Sequence, residues 1–138
     1  MLTEGKDFFA DGELSRKQQI PILVVFSAPN CPYCDLLRRE VLDPMSELAE
    51  YQNKVILRHI SYASLDEVKD FTGAHVNHSK FNFRYGVNFY PTLMLMDNYG
   101  TVLAKKVGVT LIETYWTELD GLIEKSTNKL KRWLKASL

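Results

Sequence analysis

The stretch 22-ILVVFSAPNCPYCDLLRREVL-42 decides the fold. Ile22 to Phe26 are apolar without a break and rich in β-branched residues. Continuous apolarity over so short a run marks a strand buried on both faces, as in a parallel sheet. After the loop Ser27–Asn30, Leu36, Leu37, Val41 and Leu42 fall at helical spacing. A strand therefore feeds a helix, and the only two cysteines, Cys31 and Cys34, stand at the junction. The first turn of a helix has unpaired N–H groups and a positive dipole end, and both favour a thiolate. Cys31 is thus the expected nucleophile. Pro32 fits an early helical position, where a missing N–H costs little. Cys34 falls one turn later on the same face, within disulfide reach but less exposed, as suits a resolving thiol.

Other uses of a CxxC are weighed beside this. A zinc site takes about four ligands, and one CxxC supplies two. His59, His75 and His78 are the candidates to complete it, but His59 sits in a strand pattern and the others in a polar connection. A structural disulfide or two inert thiols is the remaining alternative. The chain has 138 residues, 46% of them hydrophobic, which is enough for one domain with a real core. It has no need of a bridge or metal to fold. Redox chemistry is the preferred reading, and no metal or separate cofactor is expected. A monomer is expected; both cysteines lying in one motif argues only against a covalent dimer.

The formal net charge is zero, so nothing suggests nucleic acid. The basic end KSTNKLKRWLKASL reads as a solvated helix end, a helical tail over residues 126–138 behind a core of about 20–125. No apolar run approaches the ~20 residues of a membrane span. The N-terminus MLTEGKDFFADGELSRK lacks the apolar segment of a signal peptide.

Further along, Asp43-Pro44 reads as a helix restart, with Asp as N-cap and Pro in the first turn. KVILRHI is a second strand. SLDEVKDF reads as a short helix, followed by a turn at Thr72-Gly73 and a second short helix ending at Gly86. PTLMLMD and TVLAKKVG form a hairpin across NYG. Thr110 and Glu113 match a capping box before the stripe Leu111, Ile112, Tyr115, Leu119, Leu122 and Ile123. The order β-α-β-α-β-β-α, with a small N-terminal element, predicts an α/β protein with parallel pairing and an antiparallel edge.

With ILVVF, CPYC, RYGVNFYPTLMLMDNYG and KKVGV in this order, the chain resembles the thioredoxin superfamily from about Ile20 to Ile123. The resemblance implies a central mixed sheet of four to five strands with helices on both faces. It implies that Pro91 is a cis-proline and that Gly108 lies near the active site. Within the superfamily, the segment VKDFTGAHVNHSKFNFRYGVNFYPT resembles the SoxW-type periplasmic proteins of bacteria, which implies an oxidising compartment and a leader peptide; a cytoplasmic location is the alternative. Catalysis is expected at Cys31 and Cys34, flanked by Pro32 and Tyr33. Substrate is expected along Tyr90, Pro91, Thr92 and Gly108, because Tyr90 can offer backbone groups to an extended peptide.

Two departures stand out. Thioredoxins proper carry a buried acid six residues before the first cysteine, where this chain has Val25. Glu40 and Asp43 lie too far along the helices to replace it, so the base for Cys34 is unassigned and water is a candidate. Asn30 stands where thioredoxins usually have Trp. CPYC also occurs in glutaredoxins, but the insertion and the final helix fit them poorly. The stretch Ser61–Pro91 is too short for the helical insertion of a DsbA-type oxidase. The expected function is a thiol–disulfide reductase of protein disulfides, re-reduced by an upstream dithiol such as a membrane electron-delivery protein. A disulfide oxidase or isomerase is the alternative, and a non-catalytic binding module with the same fold is another.

Overall fold

A computed structural model of the chain describes residues 1–137. Its centre is a four-stranded sheet in the order β2-β1-β5-β6. Strand β1 (Ile22–Ser27) runs parallel to β2 (Ile56–Ser61) and antiparallel to β5 (Thr92–Met96), and β6 (Val102–Val107) closes one edge. A second sheet pairs β3 (Glu67–Lys69) with β4 (His75–Asn77). The helices are α1 (Phe8–Gln18), α2 (Pro32–Leu37), α3 (Asp43–Glu47), α4 (Ala49–Gln52), α5 (His78–Arg84) and α6 (Ile112–Ala136).

Because side chains alternate along a strand, β1 feeds two cores. Leu23 and Val25 pack with Leu57, Leu37, Val41, Tyr115 and Leu119, under α2 and α6. Ile22, Val24 and Phe26 pack on the other face with Phe8 of α1 and Phe81 of α5. Both faces of the central strands are covered, as the unbroken apolar run predicts.

Four local readings change. The stretch around Val68 is a hairpin and not a helix. Asp70 accepts hydrogen bonds from the Thr72 and Ala74 amides (2.9 and 3.0 Å) and from the Thr72 hydroxyl (2.7 Å). A side chain that captures its own backbone in this way competes with a helix, and Gly73 completes the turn at φ 91°. Asp43 does not cap a new helix. The chain runs from α2 into α3 through a π-helical turn, Arg38–Leu42, in which the Asp43 amide bonds to the Arg38 carbonyl. Pro44 has no N–H to continue the α-helical ladder, and the wider turn spans that gap. The Asp43 carboxylate instead accepts from the Leu2 amide (2.8 Å). Thr110 is not a cap either: Leu111 holds the N-cap position of α6 without a side-chain bond. Lastly, the basic end is helical as expected but not solvated all round: α6 continues through it and buries Ser126 and Leu130.

The N-terminus lies along β2. Glu4 bridges His59 in parallel fashion. The Gly5 amide donates to the His59 carbonyl, and the His59 amide to the Thr3 carbonyl, both at 2.8 Å.

Candidate redox site

Cys31 is the N-cap of α2, in an extended conformation, with Pro32 in the first turn. Its Sγ accepts a hydrogen bond from the Cys34 amide (3.2 Å), and its carbonyl accepts from the Asp35 amide (3.1 Å). An N-cap side chain that accepts from the first turn is satisfied best when it carries negative charge. Cys31 and Cys34 are joined as a disulfide, with Cα atoms 5.2 Å apart. Cys31 is half-buried, whereas Cys34 is 7% exposed and faces the core one turn into the helix. The pair therefore presents one sulfur outward and withholds the other. Asn30 reaches φ 54° to turn the loop into the helix.

Opposite Cys31 lies the loop before β5. The Tyr90–Pro91 bond is cis, and the Tyr90 carbonyl oxygen is 3.9 Å from Cys31 Sγ. The Tyr90 hydroxyl shares its one proton between Asn82 Oδ1 (3.1 Å) and the Val87 carbonyl (3.0 Å), while Asn82 Nδ2 also donates to Val87 (2.9 Å). Asn82 is buried, so helix α5 fixes the ring of Tyr90. Tyr62 stacks on it at 5.3 Å. The two tyrosines, with Phe83 and Asn88, line an open hollow of about 550 Å³. Gly108 donates its amide to the Pro91 carbonyl (2.8 Å) and has φ 73°.

The expected site residues thus divide. Tyr90 faces Cys31 Sγ through its carbonyl, Pro91 follows it through the cis bond, and Gly108 is tied to Pro91 by its amide. Tyr33 is exposed and Pro32 lies at the surface beside it. Thr92 is only 2% exposed, and its hydroxyl donates to the Phe89 carbonyl (2.6 Å), so it braces the loop from inside.

The three histidines do not converge. His75 pairs with Glu67 (2.8 Å) at the surface. His78 is buried between the Gly5 carbonyl (2.8 Å) and the Ser61 amide (3.2 Å). No group of three or more His, Cys, Asp or Glu side chains fit for a metal occurs among the described residues. His59 Nδ1 meets Glu4 Oε2 at 2.7 Å, and its Nε2 is hydrogen-bonded to Ser27 Oγ. Burial lowers the His59 pKa below its ordinary value, and Glu4 only partly opposes it. Sequence reasoning gave Glu4 and Ser27 no role. The signal lay in strand register: β1 and β2 pair Val25 with His59, which sets an imidazole beside Val25.

The structure resembles several known ones. Thioredoxin h from Nicotiana alata aligns at 22% identity with a TM-score of 0.61, over 91% of this chain and 95% of that one. Thioredoxin O2 from Arabidopsis thaliana aligns at 18% identity and 0.58, over 88% and 93%. The periplasmic thioredoxin SoxS from Paracoccus pantotrophus aligns at 18% identity and 0.52, over 77% and 98%. No curated protein sequence matches the chain. The family model for the thioredoxin-like domain matches residues 8–123. With that match, a mixed sheet between two layers of helices and a CxxC disulfide at the start of α2, the chain belongs to the thioredoxin-like domain family.

Proposed function

We propose that the protein is a thiol–disulfide oxidoreductase that reduces disulfides in protein substrates. The observation that carries this is the asymmetry of the pair: Cys31 is half-exposed as an N-cap acceptor, and Cys34 is buried behind it. In the reduced protein, the Cys34 amide and the start of α2 favour a thiolate on Cys31. That thiolate attacks a substrate disulfide held as an extended segment along Tyr90 and Pro91, whose position beside Cys31 suits backbone pairing. Cys34 then attacks Cys31 Sγ, closes the disulfide and releases the reduced substrate. An upstream dithiol returns the pair to its reduced state.

We further place the protein in the bacterial periplasm, as a SoxW-type member fed by a membrane electron-delivery protein. The support is the segment between β2 and Pro91, and the likeness of fold to a structure described as a periplasmic thioredoxin. Cys34→Ser tests the cycle. It leaves the nucleophile and removes the resolving thiol, so substrate proteins should accumulate on Cys31 as reducible adducts. A variant that traps none refutes the cycle. The reduction potential tests direction: a value near thioredoxin's roughly −270 mV supports reduction, and one near the roughly −120 mV of DsbA refutes it in favour of oxidation.

A further inference from the structure

In the cycle above, Cys34 acts as a thiolate, yet it is buried and its proton needs an acceptor. The face of the sheet beneath α2 carries a hydrogen-bonded group with a free proton-accepting capacity. Leu23, Val25 and Leu57 point to that face, since they pack with Leu37 and Val41. Ser27 and His59 share their parity on β1 and β2 and point the same way. Both lie toward the strand ends from which the CPYC loop departs. Cys34 and Leu37 on α2 and Arg38 just after it are spaced to share one helix face. Leu37 is fully buried in this core, and Arg38 Nη2 comes 4.0 Å from Glu4 Oε2. One turn beyond Cys34, Arg38 therefore reaches the Glu4 end of the Glu4–His59–Ser27 group.

The hydrogen bonds set the tautomer. Glu4 Oε2 accepts from His59 Nδ1 at 2.7 Å, which leaves the Nε2 lone pair for the Ser27 hydroxyl. Around His59 the charged and titratable groups are Glu4 on the N-terminal segment, Arg38 after α2 and His78 on α5. Burial, Arg38 and His78 keep the imidazole neutral, and Glu4 stands ready to offset a positive charge on it.

We propose that Ser27, His59 and Glu4 form the relay that receives the Cys34 proton in the resolving step. The proposal rests on the oxidoreductase reading. In the step, the Cys34 S–H bond breaks and its proton passes to Ser27 Oγ, while Ser27 gives its own to His59 Nε2. The electron pair left on Cys34 forms the bond to Cys31 Sγ. The bond from Cys31 to the substrate sulfur breaks, and that sulfur leaves as a thiolate. The two protein sulfurs are oxidised, the substrate is reduced, and the imidazolium returns its proton to solvent. Ser27, His59 and Glu4 are positioning residues acting on Cys34; none touches the substrate.

A two-phase measurement separates the steps. Reduced protein is mixed with 5,5′-dithiobis(2-nitrobenzoate) in a stopped-flow instrument. The first equivalent of coloured thiolate reports attack by Cys31, and the second reports attack by Cys34. His59→Gln should slow the second phase by roughly ten- to a hundredfold and leave the first within about twofold. Ser27→Ala should slow it as well, and Ser27→Thr, which keeps the hydroxyl, should restore it. The parent's second phase should fall as pH drops and His59 takes a proton, and His59→Gln should lose that inflection and keep only the dependence set by the thiol itself. Glu4 is about half exposed, so Glu4→Gln tests the relay without disturbing the core. A carboxylate acting through its charge alone opposes a nearby thiolate, and its removal would speed the second phase. The relay requires that removal slow it. Overturning results are a faster second phase in Glu4→Gln, or an unchanged second phase in His59→Gln and Ser27→Ala. A missing first phase in the parent protein would instead overturn the oxidoreductase reading, and the relay with it.

Discussion

Asn82 provides the sharpest test of how the loop opposite Cys31 is held. Its side chain accepts from the Tyr90 hydroxyl and donates to the Val87 carbonyl. Asn82→Ala removes both bonds. The Val87 carbonyl keeps its bond from Tyr90 at 3.0 Å, so truncation orphans neither group. The loss is then one neutral hydrogen bond and a share of a second, about 1–2 kcal/mol. With a urea slope of about 2 kcal/mol/M for a domain this size, the unfolding midpoint falls by about 0.5–1 M. The Tyr90 ring also loses one of its two anchors, and the backbone it carries toward Cys31 loosens. A protein substrate that must pair with that backbone, such as insulin, should then be reduced several-fold more slowly. A small aromatic disulfide needs no strand alignment, and its first-phase rate should hold. An unchanged midpoint, or equal loss with both substrates, would refute the account of Asn82 as the anchor of this loop.

Other expectations follow from the same contacts. Burial alone would raise the Asp70 pKa, but bonds from Thr72, Ala74 and Arg84 outweigh it and hold it below the ordinary 3.8. Its stabilising effect is therefore full above 3.8 and is lost as pH falls through the lower folded value. Asp70→Asn should cost about 1–2 kcal/mol at neutral pH and almost nothing in strong acid, as urea melts at several pH values would show. Leu37→Ala empties a fully buried site between α2 and the sheet and should cost about 3–4 kcal/mol. In the reduced protein it should also speed alkylation of Cys34. Gly100 has φ 83°, and a Cβ there would lie 2.5 Å from Phe71 Cδ2 and 2.6 Å from Tyr85 Oη. Gly86 has φ 67° with nothing within 4 Å of such a Cβ. Gly86→Ala should cost about 1–2 kcal/mol of backbone strain, and Gly100→Ala clearly more, measured as the difference in thermal midpoint.

The parts legible in the sequence are those with local signals. Strand β1 announced itself by unbroken apolarity, α2 by helical spacing after it, and the β5–β6 hairpin by the turn residues Asn98–Gly100. The lost parts depend on partners distant in sequence or on local competition. Val68 looked helical because its neighbours are good helix formers. The Asp70 carboxylate, tied to Arg84 at 2.9 Å, holds the backbone in a hairpin instead. The basic end of α6 looked like a tail because its charges hid a stripe. Leu119, Ile123, Ser126 and Leu130 are all buried, at steps of four, three and four residues, so the packed face simply continues. The relay histidine was invisible for the same reason, since nothing in KVILRHI announces a carboxylate 55 positions away.

The N-terminal segment makes this dependence testable. Residues 1–4 form no helix, yet Leu2 is 4% exposed, its amide is bound by Asp43 and Thr3 accepts the His59 amide. Deleting Met1–Glu4 exposes the outer edge of β2 and removes one buried leucine. Leucine burial contributes about 2 kcal/mol, and the lost amide bonds lie where water replaces them. The shortened protein should thus stay folded with a urea midpoint lower by about 1 M. Its Cys31 should react at the parent's rate, because α2 and the Tyr90 loop are untouched. Its second phase should slow in the same direction as in Glu4→Gln, since His59 loses both its counter-charge and a backbone anchor. If the deletion leaves Cys34 as fast as in the parent, then the group around His59 serves packing alone, and the proton of the resolving thiol goes to water.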